Sequence, residues 1–102
     1  MFALEKHPLV DCDLEEAALW YAARDGKVAE RFVAASEEAI RGLGCEPLLH
    51  RERFDNVRRA NLSGFPYGVF YFVQGETVYV LAVLHAARDH RTVLGRRAPA
   101  FP

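Results

Sequence analysis

His85, Arg88, Asp89, His90 and Arg91 follow directly on the most apolar stretch of the sequence, Val78 to Leu84. A histidine at a strand end can leave the core and titrate near neutrality, so His85 is the best single candidate for proton transfer. Cleavage of RNA through the ribose 2′-hydroxyl needs a base, an acid and a cation for the charged phosphorane. Glu46 or Glu52 would be the base, His85 the acid, and Arg59 or Arg88 the cation. Each also has a purely structural reading. His85 can close the strand end through a hydrogen bond to Asp89 or to backbone, and Arg58 and Arg59 can be edge-strand charges. Tyr67, Tyr71 and Tyr79 can stack on bases, but tyrosines in a sheet are usually packing residues. His7, His50 and His90 have no usable partner spacing and are expected at the surface.

These residues need a scaffold. Phe2 to His7 suits a short strand, and Pro8 with Asp11 and Asp13 leads into helical periodicity. Asp13 followed by Glu16 resembles a capping box. A first helix is expected over 11–24, with Leu14, Ala17, Ala18 and Tyr21 on its apolar face, ending at Asp25-Gly26. A second is expected over 27–43, where Val28, Phe32, Ala35, Ala39 and Leu43 recur at helical spacing. So short a link makes the helices antiparallel neighbours, with Phe32, Ala39, Leu14 and Tyr21 largely buried. The stretch "EPLLHRERFDN" is expected as a loop. Strands then follow over 57–62, 66–74 and 77–85, giving an α+β fold in which a helical hairpin covers one face of a mainly antiparallel sheet.

A two-residue turn at Gly75 and Glu76 would set Phe72 opposite Tyr79 and Phe70 opposite Leu81, with Gly68, Val83 and His85 on that same side. Tyr67, Val69, Tyr71, Val78, Val80, Ala82 and Leu84 would take the other. Both sides are apolar, as in strands covered on both faces. Two helices cover only one. The remaining face calls for a loop, the C-terminal tail, a second copy or another protein, and another protein is expected.

With 102 residues, 51% of them hydrophobic, one domain over 1–94 and a tail over 95–102 are expected, without need of a disulfide or metal. Cys12 and Cys45 lack ligand spacing and are expected as buried free thiols in a reducing cytoplasm. No apolar run reaches the roughly 18 residues of a membrane span. A net charge of −1 argues against nucleic-acid binding driven mainly by charge.

The residues Glu15-Glu16-Ala17 with Trp20-Tyr21, Arg58-Arg59, Phe65-Pro66-Tyr67-Gly68-Val69-Phe70-Tyr71, and Leu81-Ala82-Val83-Leu84-His85 with Arg88-Asp89 together resemble the RelE/ParE superfamily of type II toxins, also called plasmid stabilisation proteins. The resemblance runs from about Leu4 to Arg91. It implies a β-α-α-β-β-β toxin neutralised by an antitoxin that wraps it, free or in a hetero-oligomer, or a toxin homodimer. RelE-like members cut messenger RNA in the ribosome, which would employ His85, Arg59, Arg88 and Glu46. ParE-like members act on DNA gyrase. The weak basic balance, with "FPYGVFY" and "LAVLHAARD", points to the ParE-like branch, without cofactor. Arg58, Arg59, Tyr67, Tyr71, His85 and Arg88 would then contact antitoxin or target. A non-toxic, self-associating binding domain is the third alternative.

Overall fold

The structure is a computed structural model that describes residues 1–101. The chain runs through β1 (Ala3–Lys6), α1 (Leu9–Ala22), α2 (Gly26–Gly42), β2 (Glu52–Phe54), β3 (Val57–Asn61), β4 (Tyr67–Gln74), β5 (Thr77–His85) and α3 (His90–Arg97), with single 3₁₀ turns at Pro47–Leu49 and Ala98–Ala100. The fold class is the expected one: α1 and α2 lie on one face of a five-stranded sheet ordered β1-β5-β4-β3-β2. All strand pairs are antiparallel except β1 with β5.

Both helices begin slightly earlier than their periodicity suggests. Pro8 occupies the N-cap of α1 and has no capping side chain, so the His7 ring takes that role and its Nδ1 accepts from the Leu9 N–H at 3.0 Å. Asp13, expected in a capping box with Glu16, therefore sits one turn inside the helix and is free for another partner. Asp25 caps α2, accepting from the Lys27 N–H at 2.9 Å. The inner face of α2 buries Phe32 completely. Ser36 is buried with it, and its hydroxyl donates to the Phe32 carbonyl at 2.8 Å, which satisfies the group within the helix. Leu14, Tyr21 and Ala39 are half-buried around that core.

The loop expected at 46–56 contains β2, a correction with a local cause. Asp55 and Asn56 both have positive φ, 44° and 67°, which suits the tight turn of a β2–β3 hairpin. The β4–β5 hairpin turns at Gly75-Glu76 as expected, with Gly75 at φ 62° and Phe72 opposite Tyr79. Phe70, however, lies opposite Ala82 and not Leu81, because β5 carries one extra residue. Past this bulge every side chain changes face. Val83 joins Val69 and Tyr71 under the helices, whereas Ala82 and Leu84 join Phe70 and Leu81 on the far side.

That far side is covered from within the chain, which corrects the expectation of another protein there. Leu94, Val93 and Phe101 pack on Val57, Phe70, Leu81, Ala82 and Leu84. Residues 95–97, expected to begin a tail, complete α3. Its anchor is polar. Strand β1 pairs with β5 only as far as Val80, leaving the Leu81 carbonyl and the Val83 N–H at a bare sheet edge. Arg97 donates to Leu81 O at 3.1 Å, and Asp13 Oδ2 accepts from Val83 N–H at 3.0 Å. The two side chains also meet each other, through Arg97 Nη2 to Asp13 Oδ1 at 2.8 Å and Nη1 to Oδ2. An ion pair thus stands in for the missing strand and ties α1 to α3. Both cysteines are exposed free thiols, contrary to expectation, because Cys12 faces outward on α1 and Cys45 lies in the turn after α2.

Candidate functional site

The bulge at Leu81 decides what forms the site. By turning the end of β5 toward the helix pair, it sets His85 opposite Tyr67 with ring centroids 5.2 Å apart. A groove of about 460 Å³ opens between these strand ends and α1. Asp13, Glu16, Ala17, Trp20 and Tyr21 form its α1 wall, and Pro66, Tyr67, Val83, His85 and Arg88 the other. Trp20 is 53% exposed at the rim, and Arg24 stacks over its ring at 3.5 Å.

The groove is mostly apolar, and among its few polar groups Tyr67 is held neutral. Burial pushes the Tyr67 hydroxyl above its ordinary pKa, Tyr21 and Glu16 add to this, and Arg88 opposes it. Tyr67 is therefore a neutral hydrogen-bonding group at any physiological pH. His85 Nδ1 accepts from the Ala87 N–H at 3.0 Å, the backbone alternative among the structural roles expected for it. Asp89 turns instead to α3, where it caps Thr92 through the backbone N–H at 3.3 Å and the hydroxyl at 2.7 Å; these bonds hold its carboxyl below the usual range.

The remaining expected site residues lie elsewhere. Arg58 and Arg59 are neighbours on β3 and so point to opposite faces. Arg58 donates to the His50 carbonyl and lies 3.7 Å from Glu52. Arg59 crosses the far face over Phe70, 5.4 Å from its ring centroid. Gly68 makes this possible, since a Cβ there would collide with the Arg59 side chain. Tyr71 is fully buried and donates to the Pro47 carbonyl, and burial pushes its phenol up to about 12; it has no surface to offer a partner. Glu46 lines a separate pocket of about 410 Å³ with Glu38 and His50. His85, Arg88 and Tyr67 are thus brought together, whereas Glu46, Arg58, Arg59 and Tyr71 are not. Trp20, Tyr21, Asp13 and Glu16 were not expected as groove residues; their place depends on the strand-end geometry. His7, His50 and His90, expected at the surface, are half-buried. Among the described residues no group of His, Cys, Asp and Glu is placed to hold a metal ion.

The model of the family "ParE toxin of type II toxin-antitoxin system, parDE" matches residues 4–90, and the chain belongs to that family. A chain of the solved chromosomal ParDE toxin–antitoxin system from P. aeruginosa has the same fold, with a TM-score of 0.74 at 19% identity, covering 83% of this chain and 96% of that one. No curated protein matches the sequence. No helix among the described residues is long and apolar enough to cross a membrane.

Proposed function

We propose that this ParE-family toxin acts in the cytoplasm on DNA gyrase without cutting RNA, and that a cognate antitoxin neutralises it by filling the groove between α1 and the ends of β4 and β5. The dispersal of the candidate catalytic residues carries this reading. RNA cleavage requires base, acid and cation around one phosphate. Here His85 and Arg88 border the groove, Glu46 lines another pocket and Arg59 lies on the opposite sheet face. Trp20, Tyr21, Tyr67 and Val83 instead make the groove mostly apolar, with few polar groups to orient a bound side chain. Exposed Leu9, Leu19 and Trp20 extend this surface along α1.

Induced expression without the neighbouring short reading frame tests the proposal. The expected outcome is gyrase-dependent DNA damage, relieved by co-expression of the neighbour, with messenger RNA intact. His85→Ala should alter toxicity only through contact or folding. The RelE-like alternative draws on one observation: with Nδ1 accepting from Ala87, the His85 proton resides on Nε2 and is free to be donated. On that reading His85→Ala lowers RNA cleavage roughly 100- to 10,000-fold. Messenger RNA cut by the wild type and spared by the variant would overturn gyrase as target.

A further inference from the structure

The net charge of −1 conceals a polarised molecule. Residues 1–50 carry five Lys and Arg against ten Asp and Glu, a net of −5. Residues 51–102 carry eight basic residues, all arginine, against four Asp and Glu, a net of +4. Part of that surplus converges on the sheet face opposite the helix pair. Arg59 lies over Phe70, whose ring is 4.5 Å from that of His90. The next residue, Arg91, stacks 4.4 Å from the Phe54 ring, and Arg53 precedes Phe54 on β2. Burial, and then the Arg53 charge, hold the Arg59 guanidinium below its ordinary pKa, so Arg53 adds its field to this group.

None of the three arginines has a carboxylate partner among the described residues, whose ion pairs are Lys6–Asp11, Arg58–Glu52 and Arg97–Asp13. Arg59 Nε is moreover buried without any hydrogen-bond partner. Arg59 and Arg91 each lie over a phenylalanine and Arg53 acts electrostatically on Arg59; such a ring of like charge without a counter-ion is self-repelling unless an anion joins it. The last strand in the sheet order, β2, runs beside them with its outer backbone edge unpaired. An exposed edge invites an extended polypeptide.

Resting on the antitoxin reading above, we propose that this arginine ring and the β2 edge form a second docking site, which receives an extended acidic segment of the antitoxin. The segment adds to β2 as a strand. Side chains alternate along a strand, so carboxylates two residues apart face the same way and reach Arg53, Arg59 and Arg91 together. Polypeptide fits better than nucleic acid because Glu52, Asp55 and Asp89 flank the ring. A phosphodiester chain carries charge at every unit and would meet them on leaving it. A peptide needs charge only at the ring.

The test uses the full chain and the purified product of the neighbouring reading frame, titrated by calorimetry at about 0.05 M and about 0.3 M salt. Wild-type affinity should fall with salt. Arg53→Glu with Arg91→Glu, both exposed positions, should retain the wild-type melting temperature, weaken binding roughly 100-fold at low salt and flatten the salt dependence. Glu30→Lys with Glu37→Lys on α2 should leave affinity unchanged, and complex formation should slow amide exchange in β2. Wild-type affinity in the arginine variant, or unprotected β2 amides, would overturn this site alone and leave the toxin reading standing. If the wild type binds no neighbour product, both fall. A short DNA duplex bound by the free wild type and lost in the arginine variant would assign the ring to phosphate and overturn the acidic peptide.

Discussion

The sheet is covered on both faces, by unlike means. On one face, α1 and α2 bring Phe32, Val10 and Ala17 against Val69, Tyr71, Val80 and Val83, a continuous apolar layer with half-buried aromatics around it. On the other, α3 offers Leu94 and half-buried Val93, and its last turn is fastened by Arg97 to Asp13 and to the Leu81 carbonyl. The first layer holds by area removed from water, about 25 cal/mol per Å². The second holds by a desolvated charge pair whose value depends on both members being present. Apolar burial tolerates adjustment, whereas the clamp is all or nothing.

If the helix pair is the main source of stability, Phe32→Ala should cost about 4 kcal/mol in chemical denaturation. A loss under about 1 kcal/mol would remove the distinction between the faces. Arg97→Ala should cost about 3 kcal/mol, because Asp13 is left buried and charged without its partner. Hydrogen exchange should then show α3 opening while α2 stays protected; uniform loss of protection would mean that the faces are not separable. Asp13→Leu combined with Arg97→Met should recover part of that loss, short of full recovery since Val83 N–H remains unpaired.

A smaller effect follows from pH on the helix-pair side. Burial holds the Tyr71 phenol at about 12 in the folded chain, against about 10 when unfolded. The folded state keeps the proton longer, so this contribution is complete below pH about 10 and is lost as pH rises toward about 12. The slope is about 1.4 kcal/mol per pH unit for one proton. Tyr71→Phe should flatten it in pH-dependent unfolding. Smallest of all, Asp25→Ala should cost about 1 kcal/mol by leaving an amide at the start of α2 uncapped.

What could be read from the sequence follows the same division. Helix periodicity placed Phe32 and its neighbours, and Gly75-Glu76 placed the long hairpin, since both signals are local. The clamp joins residues 84 positions apart, and α3 has only Val93 and Leu94 to mark it, so neither has a local pattern. Strand β2 did leave a trace in Asp55-Asn56, a tight-turn pair that a loop reading passed over. The groove was half visible: His85, Arg88 and Tyr67 were expected, but their α1 neighbours depend on which way the end of β5 faces.

The extra residue at Leu81 works as a half-turn switch set into the strand. A chain of this architecture that paired the same residues without the bulge would keep its fold and its apolar count, yet would present its strand-end histidine to α3 and not to α1. Aligning such a chain with this one by residue type would equate side chains that address opposite sides of the protein. The pairing register upstream of the histidine, more than the histidine itself, therefore determines which surface a partner meets.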